Sequence, residues 1–132
     1  NRDYTPFVPM GITVPEAMYE DFVKVSEPLN EGNPEFPFVV EKRTGDPRPI
    51  PKNAGGSDHA YFMMNGVPVS FNLKDPKGYD FSYGEIWHTE RDTYNKSIPE
   101  YQERTAVCNA VILYGLANLD HLLSREGLYK EE

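Results

Sequence analysis

The 132-residue sequence has one cysteine, one tryptophan and three histidines, and its 13 Lys and Arg are outnumbered by 21 Asp and Glu. A lone Cys108 excludes an internal disulfide and a cysteine-rich metal site, and it does not distinguish a reducing from an oxidising compartment. The shortage of basic side chains leaves a formal net charge of −8, which argues against a surface made for nucleic-acid phosphates or anionic lipid. No uncharged apolar run approaches the roughly 18 residues that a conventional membrane-spanning helix requires. Internal repeats and coiled-coil heptads are also missing. What is present is enough for a core: 39% of residues are hydrophobic and 13% aromatic, too rich a content for a disordered segment. A chain of this length suits one α/β domain that buries roughly two thirds of its unfolded surface.

Asn1–Ile12, with Pro6, Pro9 and Gly11, reads as extended chain or loop. Thr13-Val-Pro-Glu16 combines a cap hydroxyl, an early proline and a glutamate that can bond back to the cap, so a helix is expected over about 13–27. Its apolar face is Ala17, Met18, Phe22, Val25 and Leu29, and Pro28, Asn30 and Gly32 are expected to end it. Phe38–Lys42 reads as a strand. Thr44–Gly56 has too many Pro and Gly residues for a regular element and is expected to be a long loop, either a plain connector or one shaped against a ligand or a neighbouring chain. Ser57 is placed to cap a short helix, Asn65-Gly66 to stop it, and Val67–Leu73 to follow as a strand with Val67, Val69, Phe71 and Leu73 on its core face. Tyr79–Thr93 reads mostly as loop. A last helix is expected over about 98–124, opened by Ser97-Ile-Pro-Glu100, buried on more than one side, with Gly115 as a close-packing position or a tolerated weak spot.

The histidines carry the candidate chemistry. His121 follows Asp120 near the end of the last helix, where an imidazole can serve the helix terminus. His59, in Ser57-Asp58-His59-Ala60-Tyr61-Phe62, suits a hydrogen-bonded core position as well as a site. His88 lies in Tyr83–Asp92, ten positions that hold three carboxylates and two aromatic residues. Neutral imidazole in such a loop suits metal ligation, with Asp92 orienting the ring or a neighbouring backbone group. The alternative is a surface turn anchored by a buried Trp87. No self-contained metal signature, such as two histidines flanking a glutamate on one helix, accompanies any of the three.

Two segments together resemble the M28 family of zinc-dependent aminopeptidases and its relatives with carboxypeptidase and glutaminyl cyclase activity. The first, Ser57-Asp58-His59-Ala60-Tyr61-Phe62-Met63-Met64-Asn65-Gly66-Val67-Pro68-Val69, resembles the family's Ser-Asp-His with a downstream Gly-Val-Pro. The second, Trp87-His88-Thr89-Glu90-Arg91-Asp92-Thr93, resembles its His-Thr-x-x-Asp-Thr segment. The resemblance covers about residues 55–93, and the long helix that follows also suits the end of that fold. It implies that His88 is a zinc ligand and that Asp92 supports it. It further implies that Asp58 and His59 lie beside the substrate pocket, and that Tyr83 is a candidate to steady the carbonyl oxygen.

The family's other ligands, an earlier histidine, a bridging aspartate, an adjacent glutamate pair and a further acidic ligand, have no counterpart between Asn1 and Gly56. Residues 1–132 are therefore expected to form the C-terminal part of a three-layer zinc-exopeptidase fold, a central mixed sheet flanked by helices, with the upstream half absent. The resemblance implies a parent that uses two zinc ions to hydrolyse peptides from the N-terminus, with water activated at the metal and an upstream glutamate moving its proton. The isolated fragment is expected to be inactive, its partners being the peptide substrate, the missing half of the domain and, through exposed strand edges or an apolar face, a second copy of itself. The family implies a secreted or periplasmic parent. Two alternatives are a noncatalytic protein-binding α/β module and a glutaminyl cyclase-like transferase.

Overall fold

Ile12 and Val14 are β-branched and buried, and they belong to a strand, β1 (Gly11–Val14), at the middle of a mixed sheet. β1 runs parallel to β2 (Val39–Lys42) and antiparallel to β3 (Asn72–Lys74), giving the order β2-β1-β3, with Ile12 opposite Val40 on one side and Leu73 on the other. The computed structural model describes residues 10–35, 37–53, 55, 57–68, 72–74, 83–97 and 99–130. Val69, Ser70 and Phe71, in the middle of the strand expected over Val67–Leu73, lie outside them, as do Glu131 and Glu132; among the described residues that strand begins only at Asn72.

The helix expected from Thr13 starts later. Thr13 is part of β1, Pro15 precedes a single 3-10 turn at Glu16–Met18, and the α-helix α1 runs Tyr19–Gly32. No side chain caps either start. The local Thr-x-Pro-Glu pattern is overridden because Thr13 pairs with Glu41 and Asn72 on both sides, and two ladders of backbone hydrogen bonds outweigh one side-chain cap. The ladder extends past the strand, since Val39 N–H donates to the Met10 carbonyl at 2.8 Å and Arg43 N–H to the Val14 carbonyl at 2.7 Å. α1 is the crossover that two parallel neighbours require.

α1 also continues through Pro28, which was expected to stop it. Pro28 cannot donate to the Lys24 carbonyl, yet the helix holds because Phe22, Val25 and Ser26 are buried on one face and the next turn closes with Asn33 N–H to the Leu29 carbonyl at 3.0 Å. Asn30 in that last turn ties α1 to the sheet. Its side-chain oxygen accepts from Phe38 N–H at 2.6 Å and its amide donates to the Phe38 carbonyl at 3.3 Å, replacing a backbone pair at the entrance to β2. Asn30→Ala is expected to destabilise the protein by about 1–2 kcal/mol in urea unfolding, because both polar groups of the buried Phe38 lose their partner. Asn30→Asp, which keeps the acceptor only, is expected to fall between.

The core joins Met10, Ile12 and Val14 of the central strand region to Met18, Phe22 and Val25, to Phe38, and to Cys108, Ile112 and Leu128. Cys108 and Ile112 come from α4 (Pro99–Ala117), which packs mainly against α1. The expectation that α4 is buried on more than one side is corrected: Val107, Leu113 and Tyr114 are 51%, 65% and 74% exposed. Only one stripe of the helix meets α1, and among the described residues no other helix or strand packs on it to a comparable extent. Burial pushes the Cys108 thiol above its ordinary pKa, which disfavours the thiolate form.

The loop expected over Thr44–Gly56 is shaped by the chain's own end. Arg43 donates to the Leu128 carbonyl at 3.0 Å and to that of Gly127, Arg48 pairs with Tyr129, and Lys130 N–H donates to the Arg48 carbonyl at 2.9 Å. Among the described residues no helix is long and apolar enough to cross a membrane.

Candidate functional site

The Ser-Asp-His segment forms one short helix, α2 (His59–Met63), with Asp58 at its cap position. Ser57 contributes its carbonyl to Ala60 N–H at 2.9 Å, and no side chain caps the helix, so the expected hydroxyl cap is replaced by a backbone turn. The stop is as the sequence suggests. Gly66 adopts φ +69°, its N–H donates to the Met63 carbonyl at 3.0 Å, and Val67 N–H reaches back to Phe62 at 3.1 Å. This paired closure needs a left-handed residue at the turn, which glycine adopts without strain. Asp58 is exposed and His59 half-buried, while Tyr61 and Phe62 turn outward.

Tyr83 opens a single helical turn, α3 (Tyr83–Ile86), and the role expected of its hydroxyl lies outside the described residues. The chain then folds into the tight turn that carries His88. The Thr89 hydroxyl lies 3.0 and 2.9 Å from the carbonyls of Glu85 and Ile86, and Thr89 N–H donates to Ile86 at 3.0 Å. On its other side Arg91 N–H donates to that hydroxyl at 3.2 Å, and Asp92 N–H to the Thr89 carbonyl at 3.2 Å. Thr93 continues the pattern, its hydroxyl donating to the Asn95 side chain and its carbonyl accepting from Lys96 N–H at 2.8 Å. Thr89 of the His-Thr-x-x-Asp-Thr segment thus braces the turn that carries His88, and Thr93 starts the 3-10 turn Tyr94–Lys96 that follows it.

His88 is the one non-glycine residue with positive φ among the described residues, at +56°. For an L-residue this left-handed conformation costs roughly 1–2 kcal/mol and persists only where the surrounding turn enforces it. The ring is exposed, with its centroid 4.7 Å from that of Trp87 and tilted by 42°. Trp87 is itself 56% exposed, so a buried indole does not anchor the turn. Asp92 is exposed and makes no hydrogen bond to His88 among the described residues, which leaves the ring without the expected orienting carboxylate.

Among the described residues, no group of three or more His, Cys, Asp or Glu side chains is placed to hold a metal ion. Tetrahedral zinc needs three or four protein ligands, so His88 by itself does not supply a coordination sphere.

A second candidate surface is a groove between α1 and α4, about 710 Å³, lined by Lys24, Val25 and Pro28 on one wall and by Val111, Tyr114 and Leu119 on the other. Its lining is almost wholly apolar, and the exposed face of α4 borders it. Comparison with protein-family models, curated proteins and solved structures finds no match for this chain.

Proposed function

We propose that the chain is an incomplete α/β module that functions as the C-terminal portion of a zinc-dependent aminopeptidase of the M28 type, to which it contributes His88 as one metal ligand. The observation that supports this reading is the exposed, left-handed His88 on a turn braced by Thr89, because residues held in sparsely populated backbone conformations cluster at functional sites. The two ordered motifs of residues 55–93 supply the family. Asp58, His59, Tyr83 and Asp92 are assigned to the pocket around the site. The remaining ligands and the general base would come from residues outside this chain, so the module alone is noncatalytic.

The uncovered apolar face of α4 favours a second reading, a noncatalytic module whose task is to bind another protein. A cyclase-like transferase would share the fold and differ only in substrate. Assays on the 132-residue chain and on a longer protein that contains it separate these readings. The proposal predicts metal-dependent release of N-terminal residues from peptides by the longer protein and none by the chain alone. Strong metal-dependent hydrolysis by the chain alone would contradict the division of the site, and a longer protein that cyclises N-terminal glutamine without hydrolysing peptides would replace the peptidase with the transferase.

A further inference from the structure

His121 lies beyond the end of α4, not in its last turn, and both of its ring nitrogens face carboxylates. Nδ1 is 2.6 Å from Asp120 Oδ1, and Nε2 is 3.0 Å from each oxygen of Asp21, in the first turn of α1. A neutral imidazole has one N–H and one lone pair, so it can donate to only one of these partners while turning a lone pair toward the other. An imidazolium donates to both. We propose that His121 is a protonation-dependent clasp that fastens the chain leaving α4 to the start of α1, next to residues that line the α1/α4 groove.

The placement gives the clasp something to control. Leu119 and Asn118, just before it, line the groove opposite Lys24, which lies one turn beyond Asp21 along α1. The hydrogen bonds that end α4 are also here: Asn118 N–H donates to the Tyr114 and Gly115 carbonyls, and Leu119 N–H to Leu116 at 3.3 Å. The charged groups acting on the pair are Asp21 and Lys24 from α1 and Asp120 from its own turn. The hydrogen bond to Asp120, followed by that to Asp21, raises the His121 pKa, and the same contact lowers that of Asp120. A raised folded-state pKa means that the clasp is at full strength below the ordinary imidazole value of about 6.5 and weakens to a single donated hydrogen bond as pH rises through the folded value. His121 and Asp21 are at the surface, with side chains 50% and 18% exposed, so the effect is local and leaves the fold intact.

Titration of the His121 ring signals by NMR tests this, combined with amide exchange protection of Asn118 and Leu119 between pH 6 and 9. The expected result is a midpoint above the ordinary value, a lower midpoint in Asp21→Asn, and protection of the two amides that falls about threefold as His121 deprotonates. His121→Gln, which donates to Asp21 at every pH, is expected to remove the pH dependence of that protection while the chain stays folded. A midpoint at or below the ordinary value, a midpoint unmoved by Asp21→Asn, or protection in the wild type that is flat across the titration overturns the clasp.

Discussion

Gly115→Val is expected to destabilise the protein by about 3 kcal/mol, and Gly115→Ala by about 1–2 kcal/mol. A Cβ at position 115 would lie 2.6 Å from Val25 Cβ, 2.8 Å from its Cγ1 and 3.3 Å from its Cα. These atoms belong to a branched residue whose first carbon is fixed by the α1 backbone, so no rotamer change relieves the contact. α1 and α4 must separate, and Val25, Cys108 and Ile112 then lose part of their burial. The ordinary gain from removing a helical glycine, about 1 kcal/mol, offsets the clash only partly for alanine and less for valine. Gly32→Ala is the control. No atom lies within 4 Å of its added Cβ, and its effect is expected to be neutral or slightly stabilising. Urea denaturation of the three variants measures the difference, and equal stabilities for Gly115→Val and wild type would show that the helices do not pack as closely as described.

The parts of this architecture that were legible in the sequence are those decided by local chemistry. Pro99 opens α4 because a proline at the first helical position forfeits no hydrogen bond, and Gly66 ends α2 because glycine takes the left-handed turn freely. Gly115 was readable as a place of close packing, although only the structure identifies Val25 as the neighbour. Thr13-Val-Pro-Glu16 was misread because its local pattern is the same whether or not strands lie on either side of Thr13, and those partners come from Glu41 and Asn72. Pro28 was misread for the same reason, since tertiary burial of the neighbouring turns tolerates the missing donor. The apolar residues around α4 suggest burial on more than one side, but with α1 as its main packed neighbour among the described residues it leaves Val107 and Leu113 exposed. In the candidate site, the two motifs point to the turn, whereas the left-handed backbone at His88 and the Thr89 hydroxyl that braces it depend on the turn's three-dimensional closure. The Asp21–His121 contact spans 100 residues and leaves no trace in any local pattern.

If His88 ligates zinc as proposed, replacing it is expected to have the largest functional effect. Loss of groups that merely orient a ligand lowers metal affinity about 10–100-fold, so loss of a ligand itself is expected to lower it by more than about a hundredfold, with activity falling in parallel. His88→Ala alone would leave open whether the imidazole or the turn matters, because alanine resists the φ of +56°. His88→Asn separates the two, since asparagine accepts the left-handed conformation but is a poor partner for zinc. The most direct measurement is the zinc content of a protein that carries this chain together with the upstream half that the proposal requires, purified with wild-type His88, His88→Ala and His88→Asn. Bound zinc in the wild type and a marked loss in both variants, with the fold preserved in His88→Asn, is the expected result; a wild type without zinc, or a His88→Asn variant that keeps its full complement, would rule out His88 as a ligand.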